Sequence, residues 1–306
     1  MHRIKNNTIV AVLLIFSILG GRMMSSINSF YLSAMTAHRY YTYNNNMATK
    51  AISRLSSGLR INSAADDPAG LCISERMRGQ IRGLAQSIRN AQDSISMLQT
   101  AEGAAGSVHD ILQRARELSV QAATDTLTDS DHKALNTELQ QLLKEIGSTA
   151  ENTEFNSIKL LNSNSDSSST LHVQIGPNSG DQMGLSTFSL TPDSLGINGV
   201  DILTRENAGK AITIFDKAID RVSEVRSNYG ASINRLEHTI NNLENYQVNL
   251  TATESRIRDA DMPQEMMNFT KYSLLAQVAQ LMMAQANQQA QKVLQLLRQS
   301  LVQKSN

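Results

Sequence analysis

Asp66 and Asp67 are adjacent carboxylates, and paired carboxylates do acid–base chemistry when their environments push the two pKa values apart. Here they stand directly before Pro68, where a short acidic side chain caps free backbone amides and proline suits the first helical position. Turn and cap is the role these two residues are expected to fill. The six histidines, His2, His38, His109, His132, His172 and His238, are scattered, with no close pair at metal-ligand spacing. Cys72 is the single cysteine, so it closes no disulfide within the chain and builds no thiolate metal site. In the apolar run Gly70-Leu71-Cys72-Ile73 it is expected to be a small buried hydrophobe. No catalytic set, metal or cofactor is expected.

The elements must then serve something other than chemistry. Of 306 residues, 41% are hydrophobic, enough to bury a core. Lys plus Arg and Asp plus Glu are both 28, so no global field draws the chain to nucleic acid or an acidic membrane. The low numbers say more: no Trp, 4 Pro, 16 Gly and 4% aromatic residues. Few breakers and few large rings point to long helices with narrow seams.

Apolar positions recur in threes and fours along most of the chain. One stripe runs Ile27, Tyr31, Ala34, Tyr41, Ala48, Ile52, Leu55, Leu59, with His38 and Asn45 as polar members. A longer one follows Pro68: Ile81, Leu84, Ile88, Ala91, Ile95, Leu98, Ala101, Ala105, Val108, Leu112, Ala115. About 55 residues of helix would reach on the order of 80 Å. A shorter helix is seamed by Leu135, Leu139, Leu142 and Ile146. Glu154 to Ile158 starts a hairpin-like stretch, 162–170 is a polar loop, and Leu171 to Ile175 alternates like a strand. Two further stripes follow, from Ala211 to Leu250 and, past Asp261-Met262-Pro263, through Leu275, Ala279, Met282, Ala286, Val293 and Leu296. The expected fold is mainly α: a long antiparallel helical coiled-coil hairpin or bundle with a small irregular β-hairpin region in the middle.

Several motifs, taken in order, carry a resemblance. They are Leu55 to Asn62 (LSSGLRIN), Ala64 to Gly70 (AADDPAG), Ser74 to Leu84 (SERMRGQIRGL), Gln99 to Gly103 (QTAEG) and Leu112 to Leu118 (LQRAREL). Toward the other end stand Glu254 to Met262 (ESRIRDADM), Met266 to Thr270 and Ala284 to Gln289 (AQANQQ). Over about residues 24–161 and 205–298 the chain resembles bacterial flagellin, in a small form with a short central insert.

That resemblance implies an exported, extracellular subunit that polymerises into the bacterial flagellar filament, with itself as chief partner. It implies terminal helices that pair through Ile27, Tyr31, Ile52, Leu55, Leu59, Leu275, Ala279, Met282, Ala286, Val293 and Leu296. It implies an export chaperone and capping and junction proteins as partners. Arg114, Leu118 and Glu138 match positions at which many flagellins contact an animal Toll-like receptor. No nucleic acid and no stable membrane association are expected. The expected division is 24–62 and 261–306 as the two coiled-coil parts of a terminal domain, 63–161 and 204–260 as the halves of a helical core, and 162–203 as the central loop and strand insert. Some flagellins carry a metallopeptidase insert, which needs H-E-x-x-H; that motif is absent and the chain is expected not to be an enzyme. The alternatives are a hook–filament junction protein, which shares the terminal helices, and a signal-anchored coiled-coil membrane protein. The chain departs from the family pattern at Cys72, at Ala290, at the cluster Tyr40, Tyr41, Tyr43 and in residues 299–306.

Residues 1–23 precede the family's usual start. Arg3 and Lys5 followed by the apolar run Thr8 to Leu19 read like a secretory signal, but Gly20 to Met24 offers no A-x-A cleavage site. The run spans roughly 20 Å as a helix, short of the roughly 30 Å hydrocarbon core. The expected mature subunit begins at or next to Met23 or Met24, by internal initiation. Mass spectrometry of sheared filaments should therefore find no peptide from Thr8 to Leu19; finding one in assembled filaments contradicts this.

Overall fold

Asp67 and Pro68 start a helix as expected: Asp67 Oδ1 accepts from the Gly70 N–H at 2.9 Å, and the helix then runs without a break to Ala122. The structure is a computed structural model that describes residues 32–162 and 170–305, with side chains described to residue 289 and at 291, 292 and 295. Among the described residues there are five helices: α1 (residues 32–57), α2 (Pro68–Ala122), α3 (Asp129–Asn152), α4 (Arg205–Arg258) and α5 (Met262–Ser305). Four short strands lie between α3 and α4: β1 (Glu154–Phe155), β2 (Ile158–Lys159), β3 (Thr170–Gln174) and β4 (Gln182–Ser186). The chain divides into two units, Met1–Ser74 with Glu254–Asn306, and Glu75–Thr253.

In the Glu75–Thr253 unit, the stripe from Leu98 to Ala115 is buried without exception, as are Ala211, Phe215, Ala218, Val222, Val225, Tyr229 and Leu236 on α4. A helix of 55 residues forms because a matching helix covers its seam, not because propensity alone holds it. Two ion pairs lie across the antiparallel α2 and α4: Arg116 Nε to Asp216 at 2.6 Å and Glu102 to Arg226 at 3.8 Å. The third helix is fixed at its start by a capping box, in which Thr128 and Asp131 satisfy each other's backbone amides. The N–H and hydroxyl of Thr128 hold the Asp131 carboxyl below the usual carboxylate range. Along α3, His132 Nδ1 meets the Ile202 carbonyl at 3.0 Å and Gln140 donates to the Val200 carbonyl at 2.8 Å, so this helix pins the segment leading into α4.

Both hairpins are antiparallel: β1 pairs with β2, and β3 with β4 over Thr170↔Ser186 to Gln174↔Gln182. The β1–β2 turn places Asn156 and Ser157 at φ 48° and 65°, the left-handed pair that a two-residue hairpin needs to match strand twist. Met183 and Leu185 of β4 are buried in the helical core while their neighbours face out.

In the other unit, α1 ends where Gly58 takes φ 72° and its N–H bonds the Arg54 carbonyl at 2.8 Å. The segments after α1 and after α4 then meet as a short clasp. Leu59 bridges Asp259, Arg60 N–H donates to the Arg258 carbonyl at 2.7 Å, and Ala260 N–H to the Gly58 carbonyl at 2.9 Å. A side chain at Gly70 would run into the Asp67 carboxylate and Ile61, so the cap and the buried Ile61 require glycine there. Cys72 is exposed, contrary to the expectation of a buried hydrophobe. The apolar run around it belongs to the first turns of α2, where Gly70 and Ser74 turn inward and Cys72 and Ile73 turn out.

Tyr229 is buried in the helical core with its ring edge-on to Phe188, centroids 5.8 Å apart. Its hydroxyl reaches no hydrogen-bond partner, although the Phe188 backbone lies close. Burial pushes the phenol from 10.0 up to about 12. The folded state therefore disfavours the phenolate: this contribution is full below pH 10 and is lost as pH rises through 12. Its loss is worth about 2–3 kcal/mol. Tyr229→Phe should leave stability at pH 8 unchanged or raise it by up to about 1 kcal/mol, because it removes an unpaired buried hydroxyl. It should also flatten the fall in urea midpoint between pH 10 and 12. Parallel alkaline slopes for the two proteins would contradict this.

Candidate functional site

The terminal helices carry the residues expected to pair, and their burial divides into two faces. On α1 the inner stripe is Tyr41, Asn44, Ala48, Ala51 and Leu55; on α5 it is Glu265, Phe269, Tyr272, Ala276, Ala279, Met283 and Ala286. Steps of three and four make each a heptad seam, with small residues at its most buried positions. Leu55, Leu59, Ala279 and Ala286 lie on or beside these stripes. Ile52, Leu275 and Met282 do not: each is exposed, one position away from a buried alanine or a half-buried methionine. At Ile52 and Leu275 the expected seam takes the larger side chain of a neighbouring pair and the fold turns the alanine inward; Met282 and Met283 are the same residue type and differ only in which face they occupy. Ile27 and Tyr31, the side chains of Val293 and Leu296, residues 1–23 and most of the polar run 162–170 lie outside the described residues.

Turned outward are large apolar side chains. On α5, Met267, Leu274, Val278 and Leu281 recur at heptad spacing with Leu275 and Met282 beside them, and Leu281 is 70% exposed. On α1, Leu32, Met35, Tyr40, Tyr43 and Ile52 are exposed. An isolated exposed leucine is ordinary, whereas a heptad row of them marks a surface that something covers. Between the faces, Arg54 Nη1 meets Glu265 Oε1 at 3.2 Å, which ties α1 to α5 near the clasp.

Of the residues expected to meet a receptor, Arg114 and Glu138 come together on the surface of the helical core. Arg114 Nη2 reaches Glu138 Oε1 at 2.9 Å and Nη1 reaches Glu117 at 3.2 Å, and the Glu138 contact raises the guanidinium's already high pKa. Leu118 is 1% exposed and belongs to the core cluster, so it presents no contact surface. The sequence held the signal: the α2 stripe that reaches Ala115 continues by threes and fours to Leu118 and Ala122. Among the described residues, no group of three or more His, Cys, Asp or Glu is placed to hold a metal ion, and no helix is long and apolar enough to cross a membrane.

Comparison with known proteins assigns this architecture. Residues 27–166 match the bacterial flagellin N-terminal helical region, and residues 212–297 match the bacterial flagellin C-terminal helical region. A flagellin from Halalkalibacterium halodurans is 52% identical over 269 residues, covering 87% of this chain and 98% of that one. The chain belongs to the bacterial flagellin family. The Bacillus subtilis flagellin is 44% identical over 298 residues, covering 87% of this chain and 98% of its own. A putative flagellar hook-associated protein from Vibrio parahaemolyticus superimposes with a TM-score of 0.54 over 63% of this chain and 100% of that one. At 17% identity that likeness shows the fold alone, and it does not favour the junction-protein alternative. This flagellin is a structural subunit of the extracellular filament of the bacterial flagellum, in a family of structural proteins.

The burial difference between Leu118 and Arg114 has a measurable consequence. Leu118→Ala should cost this flagellin about 2–4 kcal/mol by opening a cavity in the helical core. Arg114→Ala, which removes a surface ion pair, should leave the melting temperature almost unchanged. Equal melting shifts in calorimetry would contradict the placement of Leu118.

Proposed function

We propose that the outward apolar rows of α1 and α5 are the polymerisation surface of this flagellin and that neighbouring copies cover them in the filament. The single observation that carries this is the heptad row Met267, Leu274, Val278, Leu281 on α5, which runs opposite a buried seam of the same helix. A helix with two apolar faces satisfies one inside the subunit and leaves the other for a partner. Residues 24–62 and 261–306 then act as the assembling terminal domain, 63–161 with 204–260 as the core, and 162–203 as the insert. Export chaperone, cap and junction proteins would meet the same rows of α1 and α5 before neighbouring subunits cover them. An animal Toll-like receptor would meet this flagellin at Arg114 and Glu138, with Leu118 supporting that surface from beneath.

Val278→Asp with Leu281→Asp places two charges in the row and should abolish seeded elongation while leaving the melting of the helical core unchanged. Filaments forming at the normal rate from this variant would remove the row from the assembly surface.

A further inference from the structure

The inner seam of the terminal helices raises a question of register. Its most buried apolar members are Ala48 and Ala51 on α1 and Ala276 and Ala279 on α5. Alanine against alanine packs almost equally well after a slide of one helical turn, about 5.4 Å, and the larger members of the stripes, Tyr41, Leu55, Phe269, Tyr272 and Met283, are only half-buried. The fully buried apolar part of the seam holds two helices together without saying where. The outer rows, by contrast, must be presented at fixed heights if identical subunits are to match one another along a helical lattice. Something other than the buried alanines has to set the register.

Two polar features sit within that seam. Glu265 is 9% exposed and takes Arg54 Nη1 at 3.2 Å, with Arg54 itself half-buried and its Nε buried without a partner. Asn44 is buried as well, and it lies ten residues before Arg54. Counting ten residues beyond Glu265 on the antiparallel helix brings Asn44 level with the Leu275–Ala276 step. A slide by one turn breaks the Arg54–Glu265 contact: toward Gly58 it leaves the sheltered Glu265 carboxylate level with no cation of α1, whereas the opposite slide would exchange Arg54 for Lys50, one turn earlier. A partly buried ion pair adds little to overall stability, and in some proteins such a polar contact selects one arrangement among near-equals. The clasp at Gly58–Arg60 and Arg258–Ala260 adds a fixed origin only a few residues away, so the pair acts where the two helices have just left a hydrogen-bonded joint.

We infer that Arg54 and Glu265 form a register lock, a positioning pair that sets the height of α5 against α1 and so the height at which the outer assembly rows are offered. This rests on the reading of those rows as the polymerisation surface. In the full chain carrying Cys72→Ala, two cysteine pairs report the register: Ala51→Cys with Asn268→Cys for the register of the structure, and Ala51→Cys with Tyr272→Cys for a slide of one turn. With Arg54 and Glu265 intact, the first pair should crosslink at least ten times faster than the second. Arg54→Glu or Glu265→Arg alone should bring the two rates within about threefold and slow seeded elongation at least tenfold. The exchange Arg54→Glu with Glu265→Arg should restore both the crosslinking preference and elongation to within about threefold of the parent. Glu265→Gln keeps the side chain's shape and covers a reversal that does not fold; it should show the same loss of preference at smaller amplitude.

An unchanged crosslinking preference in the single variants overturns the register lock, whatever their elongation rate. So does an exchange variant as defective as the single ones while its helical core melts normally. Normal elongation of the Val278→Asp, Leu281→Asp variant would instead count against the assembly rows, and the crosslinking ratio would still judge the lock on its own.

Discussion

Apolar side chains occupy two faces of each terminal helix, and a single chain can cover only one of them. The face that goes inward is most deeply buried, among its apolar members, at Ala48 and Ala51 on α1 and Ala276 and Ala279 on α5, with Tyr41, Leu55, Phe269 and Tyr272 half-buried along it. The large face goes outward, with leucines, methionines and valine on α5 and Leu32, Met35, Tyr40 and Tyr43 on α1. Alanine burial returns little free energy against roughly 1–2 kcal/mol of backbone entropy for each residue held in a helix. Burying the exposed remainder of each outer side chain would add about 1 kcal/mol. If neighbours cover the outer rows as proposed, the order of the terminal helices depends on them, and folding of these segments is tied to polymerisation. A subunit with its larger residues inside would be a steadier monomer and a poorer building block.

The Glu75–Thr253 unit follows the opposite economy. There the long helices bury leucine, valine and phenylalanine along with alanine, α3 lies in the same core cluster, and the hairpins add Met183 and Leu185 to it. Polar anchors add to it: the Thr128–Asp131 box, His132 on the Ile202 carbonyl, Gln140 on the Val200 carbonyl. This unit is complete within one chain, and so its stability is open to ordinary core substitutions. The Arg54–Glu265 pair and the Gly58–Ala260 clasp belong to the other unit, where little else specifies geometry.

Much of this could be read from residue order. Pro68 fixed the start of α2, the stripe from Leu98 to Ala115 proved buried throughout, and Leu171 to Ile175 falls within one residue of β3. What periodicity could not decide was which of two apolar faces turns inward. Ile52 and Ala51, Leu275 and Ala276, Met282 and Met283 are neighbours; preferring bulk in the first two pairs turns each helix by one residue, about 100°, and between the two methionines bulk decides nothing. Leu118 shows the reverse case, since its place on the α2 stripe was visible and the resemblance of its motif to a receptor-contacting segment outweighed it. Cys72 was misplaced because an apolar run at a helix start covers more than one face. Neither the Leu59–Asp259 bridge nor the Arg54–Glu265 contact has a local signal, because each joins residues about 200 positions apart.

Hydrogen exchange on the same protein as monomer and as filament tests the central claim most directly. Amides of α5 between residues 262 and 289 should exchange quickly in the monomer and slow by several orders of magnitude in the filament. Amides at 98–115 and 211–236 should be protected to the same degree in both. Strong protection of α5 in the monomer, unchanged on assembly, would mean that the inner alanine seam suffices and that the outer row does not order these helices.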